Sequence, residues 1–458
     1  MTRRNAVALV GTLLVTGLIA SLPIQGLDPT AQYAVATMAF AAILWITGAL
    51  PLPVTALLIP VVLTVFGVYS DLAPALTGFA DPVVFLLLAG FVLAEALQAH
   101  GIDRRIAYLV LGRLGSSPSR LVLAIMVTTA ILSMIISNTA TTAMMIPIAV
   151  GLVAQVTDVK PARDGPTSNL QIATLLGTAY AASLGGVGTL IGTPPNAIVT
   201  GQLRELLGVR ITFVDWLAVG LPMVIVTLPV AWVLLLRVYP PEIDDVSKAR
   251  ARAREQLEEA GRLDAAGRRV VYVFVGTAVL WLLGGLGFAF RWVPDRLHVT
   301  LFGGTGPSVF GPGGHQGILY FVIVGLLAVA VLFGSNTLSW EEATDIDWGT
   351  LLLLGGGISL ANALADTGAT VWLAEVTFGS ITGAPLVVVL GAVITVVILV
   401  GELASNTAMA AIIAPLLINI GPNYAATLGV TDTTAAVFLA IAGAIAASYG
   451  FALPVATP

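Results

Sequence analysis

Two copies of the triplet Ser-Asn-Thr lie inside long apolar stretches of the chain, at 137–139 and at 405–407. Their hydroxyl and amide oxygens are hard, neutral donors that suit an alkali cation such as Na⁺, whose water shell must be replaced by other oxygens. Taken singly, each triplet also has an ordinary explanation, because Ser, Thr and Asn cap helices and hydrogen-bond between membrane helices. Two copies at matching places in the chain favour a cation site.

A Thr-Pro pair follows each triplet, at 193–194 and at 457–458. Neither Pro194 nor Pro195 can donate an N–H, so the segment "GTLIGTPPNAI" cannot continue a regular helix. Carbonyls before such a break lose their partners and can face a cation. The N-terminus of a helix that starts after the break favours an anion. Carbonyl sites and helix N-termini together are typical of a cation-coupled anion carrier.

The composition predicts an all-α polytopic membrane protein. Hydrophobic residues make up 57% of the 458 and charged residues only 10%, whereas soluble domains carry about 25% charged residues. With no Cys and three scattered His, the chain offers no thiolate nucleophile and no His/Cys metal cluster. We therefore expect neither an enzyme nor a nucleic-acid-binding protein.

Apolar runs of about 20 residues predict the membrane helices. They start near residues 6, 31, 52, 82, 168, 213, 270, 316, 349 and 431. Two further runs, 119–155 and 384–420, are interrupted by the triplets, and we expect each to form a re-entrant hairpin of two half-helices. In this topology most Lys and Arg lie on one side, which predicts a multi-pass protein of the cell's inner (plasma) membrane with a cytoplasmic N-terminus.

Three matches in the same order indicate an internal repeat. Leu93–Gly101 resembles Leu360–Gly368, the two triplets resemble each other, and Ala181–Pro194 resembles Ala446–Pro458. In the topology predicted from these apolar runs, the two hairpins enter the membrane from opposite sides, so the repeats are inverted. The expected organisation is N-terminal helices at 1–50, a first repeat at 51–239 with a broken helix at 168–203, a charged cytoplasmic connector at 240–269, and a second repeat at 270–458 with a broken helix at 431–458.

With these motifs the chain resembles the divalent anion:sodium symporter family, and is similar to the solute carrier family 13 sodium/dicarboxylate cotransporters. The paired triplets, "IGTPPNAI" and "LPVATP" carry the resemblance. It implies a scaffold plus a transport domain that moves as an elevator, a homodimer in a lipid bilayer, Na⁺ as coupling ion and no organic cofactor.

The resemblance also implies site residues, position by position. One Na⁺ site would take Ser133, Ser137, Asn138 and Gly192. A second would take Ala404, Asn406 and Ala456, largely through backbone carbonyls. The carboxylates of the substrate would meet Asn138, Thr139, Pro194, Asn406, Thr407 and Pro458.

Two departures from the family pattern stand out. Gly401 occupies a position where the family has Thr, which weakens the second cation site or leaves it to backbone atoms. The sequence ends at Pro458, where the repeat predicts a further Pro-Asn-Ala-Ile segment. We therefore expect a truncated chain with an incomplete second site.

The function expected from the sequence is Na⁺-coupled symport of a small divalent anion, above all a C4-dicarboxylate such as succinate, malate or fumarate. Three alternatives stay open. They are a dicarboxylate exchanger without Na⁺ coupling, a sulfate or citrate carrier, and an ion or proton antiporter of a related fold in which Glu402 and Asp366 carry protons.

Overall fold

The structure is a computed structural model that describes residues 3–113, 117–156, 168–378, 384–402 and 405–451. Within these ranges the secondary structure is helical, apart from two isolated β-bridges, Gly304 with His315 and Ser308 with Gly311. Helices satisfy their own backbone groups, which is what a chain with this little polar surface requires in lipid.

The helices of the N-terminal half run up to the connector. They are α1 (Arg3–Ser21), α2 (Pro29–Thr47), α3 (Leu52–Val65), α4 (Leu72–Ala75), α5 (Pro82–Ala99), α6 (Ile102–Leu111), α7 (Pro118–Ser133), α8 (Asn138–Val153), α9 (Asn169–Gly186), α10 (Pro194–Leu207), α11 (Phe213–Val238) and α12 (Ser247–Glu259).

Ten more helices follow α12 among the described residues. They are α13 (Ala265–Gly285), α14 (Asp295–Phe302), α15 (Phe321–Gly334), α16 (Trp340–Ala343), α17 (Trp348–Asp366), α18 (Ala369–Phe378), α19 (Leu386–Gly401), α20 (Asn406–Ile420), α21 (Ala425–Leu428) and α22 (Asp432–Ser448). Short 3₁₀ turns cover Thr77–Ala80, Gly287–Phe290 and Gly421–Tyr424.

The predicted apolar runs all coincide with helices, which confirms a multi-pass, all-α membrane protein. Seven stretches among the described residues are long and apolar enough to cross a membrane: Arg3–Ser21, Pro29–Thr47, Pro82–Ala99, Phe213–Val238, Ala265–Gly285, Trp348–Asp366 and Asn406–Leu428. The last of these joins α20, a 3₁₀ turn and α21 into one apolar stretch.

Both predicted interruptions fall between helices. Residues 134–137 separate α7 from α8, and the second triplet opens α20 after the end of α19 at Gly401. The predicted break at the Thr-Pro-Pro segment is also present, because α9 ends at Gly186 and α10 begins at Pro194. Proline suits the first helical position, where a backbone N–H would have no partner in any case.

The described residues divide into two compact units. The first-hairpin unit comprises Leu88–Thr193 and Thr212–Ile346, and contains α7, α8 and α9. The second-hairpin unit comprises the described residues within Met1–Leu87, Pro194–Ile211 and Asp347–Thr457, and contains α10, α19, α20 and α22.

In the second-hairpin unit, α17 is the central helix and packs against α2, α3, α10 and α20. Two glycines make this close packing possible. A Cβ at Gly356 would lie 2.6 Å from the carbonyl oxygen of Ala56, and one at Gly78 would lie 2.3 Å from the backbone nitrogen of Ser359. Small residues at helix contacts are the usual means of close approach in membrane proteins.

The connector contains the helix α12, whose arginines bind the end of α6. Arg250 and Arg254 both donate through Nε to the carbonyl oxygen of Gly112, at the end of α6. Arg105 of α6 donates in return to the carbonyls of Ala260 and Gly261, at the end of α12. Each helix therefore supplies cations to the carbonyl end of the other, where the helix dipole favours them.

A buried ion pair closes the second-hairpin unit at the end of α10. Arg204 Nη2 lies 2.6 Å from Asp81 Oδ2, and the Asp81 side chain is 3% exposed. The other oxygen of Asp81 accepts from the backbone N–H of Val83 at 2.8 Å, in the first turn of α5.

We expect Asp81→Ala to destabilise the protein by about 3–5 kcal/mol, because it leaves the Arg204 cation without its buried partner. The double variant Asp81→Asn with Arg204→Met should recover much of this loss, since no uncompensated charge remains. Thermal unfolding in detergent measures both. Arg252→Ala, which breaks an exposed pair with Glu255, is the control and should change little. A double variant as unstable as the single one would show that the charge pair is not the cause.

Candidate functional site

The first triplet lies at the start of α8, in the first-hairpin unit. Ser137 is the N-cap residue, and its hydroxyl oxygen accepts from the backbone N–H of Ala140 at 3.3 Å. Asn138 is therefore the first helical residue, with its side chain at the positive end of the helix dipole. In this triplet Ser137 fits the capping explanation, and its neighbour Asn138 fits the cation-site explanation.

A hydroxyl group links the triplet to α9. Ser133 Oγ, at the end of α7, lies 2.6 Å from Asn138 Oδ1 and 2.7 Å from the carbonyl oxygen of Ala182. Ser133 is fully buried. A hydroxyl has one proton and can donate it to one of these two acceptors at a time. Three oxygens therefore meet at one point, and each has lone pairs that a cation can face.

Two glycines let these oxygens approach one another closely. A Cβ at Gly186 would lie 2.5 Å from Asn138 Oδ1 and 3.1 Å from the carbonyl oxygen of Gly192. A Cβ at Gly192 would lie 2.4 Å from the carbonyl oxygen of Gly186 and 2.9 Å from that of Ser133. Any side chain at either position would fill a cradle of hydroxyl, amide and carbonyl oxygens. This donor set is the one that replaces the hydration shell of an alkali cation.

The non-helical segments on both sides of the cradle are held by side chains. The Thr189 hydroxyl donates to the carbonyl oxygen of Met134, joining the break after α9 to the turn of the hairpin. Trp216 Nε1 donates to the carbonyl oxygen of Val187 at 2.9 Å. The non-helical backbone is thus packed against protein, as a position inside the membrane requires. This packing holds the oxygens of the cradle in place before a cation binds.

The residues predicted to meet an anion are less enclosed. Thr139 is exposed and Asn138 is half-buried. In the second-hairpin unit, Pro194 is half-buried at the start of α10, and Thr407 is buried in the first turn of α20. Three helix N-termini, those of α8, α10 and α20, therefore carry predicted substrate residues. Those of α8 and α20 offer N–H groups to an anion, whereas the first two residues of α10 are prolines without an N–H, so this end contributes mainly its dipole.

The second triplet has the same layout, but the hydroxyl group that Ser133 supplies in the first half is missing. Asn406 starts α20 after the N-cap residue Ser405. A Cβ at Gly450 would lie 3.2 Å from Asn406 Oδ1, which resembles the relation of Gly186 to Asn138. By the repeat, Gly401 stands where the first half has Ser133. Asn406 Oδ1 is buried, with no hydrogen-bond partner among the described residues.

Gly401→Ser is expected to supply the missing hydroxyl. A Cβ at Gly401 would lie 3.7 Å from Asn406 Oδ1, an ordinary contact distance, so the side chain fits. We expect a lower half-saturating Na⁺ concentration, by about fivefold, for one added contact worth about 1 kcal/mol. Na⁺-dependent thermal stabilisation measures this. The matched control is Gly391→Ser, where nothing lies within 4 Å of a Cβ. An equal shift in both variants would exclude a local effect.

The structure brings together Ser133, Asn138 and Gly192, as expected for the first cation site, with Ser137 capping the adjoining helix. Asn406 and Thr407 lie together in the second-hairpin unit. Ala404, Ala456 and Pro458 lie outside the described residues. The sequence prediction missed Gly186 and the carbonyl of Ala182. The Gly185-Gly186 pair directly before the break was the available signal.

The acidic residues considered for proton transport have local partners. Glu402 is buried and has a partner. Asp366 is exposed at the end of α17, and its Oδ2 accepts from the Tyr69 hydroxyl at 2.6 Å. These contacts favour structural roles for both carboxylates.

Comparison with known sequences gives a match over nearly the whole chain. The family model described as "Sodium:sulfate symporter transmembrane region" matches residues 3–458. An uncharacterized transporter of Haemophilus influenzae is 35% identical over 434 residues, which cover 94% of this chain and 84% of the relative. The sodium-dependent dicarboxylate transporter SdcS of Staphylococcus saprophyticus is 32% identical over 422 residues, covering 90% and 76%. Its counterpart in Staphylococcus aureus strain USA300 is 31% identical over 438 residues, covering 95% and 80%.

A solved structure shares the fold. The crystal structure of the YdaH transporter of Alcanivorax borkumensis, described as having an unusual topology, aligns with a TM-score of 0.54 at 15% identity. The alignment covers 99% of this chain and 88% of the other. At this identity the likeness concerns the fold alone.

Proposed function

Since the chain belongs to the sodium:sulfate symporter family, we propose that it is a secondary active transporter that couples Na⁺ entry to the symport of a small divalent anion. The observation that carries the proposal is the oxygen cradle of the first-hairpin unit. Ser133 Oγ contacts two acceptors at 2.6 and 2.7 Å with one proton to share, and Gly186 and Gly192 let further carbonyl oxygens approach closely. The residues present thus suit Na⁺.

The substrate we propose is a C4-dicarboxylate such as succinate, malate or fumarate. The relatives named SdcS are sodium-dependent dicarboxylate transporters. The helix N-termini at Asn138 and Asn406 supply N–H donors and no fixed cation, and they would hold carboxylates by hydrogen bonds and dipoles. The N-terminus at Pro194, which begins with two prolines, would add its dipole. Asn138, Thr139, Asn406 and Thr407 add neutral side-chain donors.

The architecture belongs to the same proposal. The two repeats are inverted, and the protein works as a homodimer by an elevator motion of a transport domain against a scaffold, in the cell's inner membrane with the N-terminus in the cytoplasm. The charged connector that contains α12 then lies on the cytoplasmic side, in keeping with its basic residues.

Reconstitution into proteoliposomes tests the function. Uptake of labelled succinate into vesicles is expected when an inward Na⁺ gradient is imposed and not when K⁺ replaces Na⁺. Uptake that needs internal dicarboxylate and ignores Na⁺ would overturn the coupling and identify an exchanger. Competition by sulfate and by citrate, each in excess, decides among the anions.

The antiporter alternative makes a separate prediction. If Glu402 carried protons, Glu402→Gln would abolish transport, because an amide cannot titrate. We expect Glu402→Gln to retain Na⁺-dependent uptake, since the carboxyl is a partnered structural group. Loss of uptake with a normal thermal unfolding curve would favour the antiporter.

A further inference from the structure

The segment 286–320 joins the membrane helix α13 to α15 and exposes large aromatic side chains. Trp292 is 78% exposed, Phe310 73% and Phe288 67%. The segment contains a 3₁₀ turn, the eight-residue helix α14 and a loop with two β-bridges. None of these is a membrane-spanning helix, so contact with the hydrocarbon core does not account for the exposure.

The exposed rings do not result from loose packing, because the segment has a core of its own. Phe290 stacks on Phe302 with ring centroids 5.5 Å apart. Thr300 accepts from the backbone N–H of Val309 at 2.8 Å through its hydroxyl oxygen, and its carbonyl accepts from Ile318 at 2.9 Å. A folded segment that holds aromatic side chains outward has a defined surface.

The position of the segment in the chain indicates what covers that surface. It starts directly after α13, a 21-residue stretch apolar enough to span a membrane, and it ends at the apolar helix α15. It must therefore lie where α13 leaves the membrane, at the end opposite to the connector. Tryptophan is enriched at this depth because its ring is amphipathic. Exposed Arg291 and Arg296 flank Trp292 and match the negative charge of lipid phosphates.

We propose that the 286–320 segment lies in the headgroup region of the phospholipid bilayer and anchors the end of α13 there through Phe288, Trp292 and Phe310. The rings enter the interface between headgroups and acyl chains, and the guanidinium groups stay at the phosphates. The occupant of this surface is the lipid interface, and a second copy of the chain is the competing occupant that the test must exclude.

Because the sequence contains no cysteine, a nitroxide spin label attaches only at a cysteine that is introduced. Nitroxides are attached to Phe288→Cys, Trp292→Cys and Phe310→Cys in proteoliposomes, one at a time. The rates at which the nitroxide collides with oxygen and with a water-soluble nickel complex then report its depth in the membrane. Val226→Cys, exposed in the membrane helix α11, is the lipid reference, and Glu255→Cys, exposed on α12, is the water reference.

We expect the ratio of oxygen to nickel collisions at the three sites to be several-fold above the water reference and below the lipid reference. A ratio equal to that at Glu255→Cys would overturn the proposal. Low accessibility to both reagents, with spin–spin broadening, would overturn it in favour of a second copy of the chain.

A second variant separates anchoring from folding. A triple variant combines Phe288→Ser, Trp292→Ser and Phe310→Ser, and it carries the spin label at Val309→Cys. In vesicles this label should lie closer to water than the same label in the protein that keeps the three aromatic residues. Because these rings are mostly exposed, thermal unfolding in detergent should stay at the wild-type temperature. An unchanged label depth in the triple variant would contradict the anchoring role.

Discussion

Asn138→Ala is expected to reduce Na⁺-driven uptake strongly at Na⁺ concentrations that just saturate the wild-type protein. The substitution removes the side-chain oxygen that lies 2.6 Å from Ser133 Oγ and faces the cradle. If one oxygen ligand of the cation contributes as much as a hydrogen bond to a charged group, about 1.5–3 kcal/mol, the half-saturating Na⁺ concentration should rise by about 10- to 100-fold. Uptake of labelled succinate against a Na⁺ titration measures the effect.

The control for this variant is Asn423→Ala, the same substitution at an exposed position of the 3₁₀ turn Gly421–Tyr424. It should leave both the Na⁺ titration and the uptake rate unchanged. Normal transport by Asn138→Ala, with a normal titration, would remove Asn138 from the cation site and would leave the cradle as a structural feature of the hairpin.

Gly186→Ala is the second variant with a large expected effect, and it adds a single methyl group. That group would lie 2.5 Å from Asn138 Oδ1, closer than any carbon–oxygen contact allows, so Asn138 must leave its place. We expect loss of uptake together with loss of the thermal stabilisation that Na⁺ gives by binding the folded state. A fluorescence-based melting curve with Na⁺ and with K⁺ measures the second quantity independently of transport.

Gly151→Ala provides the matched control, because Gly151 lies in α8 of the same hairpin and nothing is within 4 Å of its Cβ position. Alanine favours the helix over glycine by about 1 kcal/mol, so this variant should be at least as stable as the wild type and should bind Na⁺ normally. If Gly186→Ala kept a full Na⁺-dependent shift, the cation would bind elsewhere.

Much of the architecture follows from the sequence alone, because membrane helices are defined by the length and polarity of the segment itself. The apolar runs, the turn at the first triplet and the break before Pro194 all have local causes. Two consecutive prolines without N–H groups suit the start of a helix better than its interior, and the hydroxyl of Ser137 caps α8. The likeness of the two triplets also needs no coordinates, and the resemblance to the symporter family implies Ser133, Asn138 and Gly192 as residues of a cation site.

Tertiary structure decided which oxygens meet. The carbonyl of Ala182 is distant in sequence from Ser133 and reaches it only because α9 packs against α7. Gly186 is one of many glycines, and only the position of Asn138 beside it shows that a methyl group there would fill a cation cradle. The arginines of the connector, too, were indistinguishable in sequence from a solvated face until α6 and α12 were placed side by side. Residue types and local geometry are properties of the sequence, whereas the convergence of neutral oxygens from separate helices is a property of packing. The sequence therefore determined the membrane helices and the candidate residues, and the fold alone decided how those residues combine into a site.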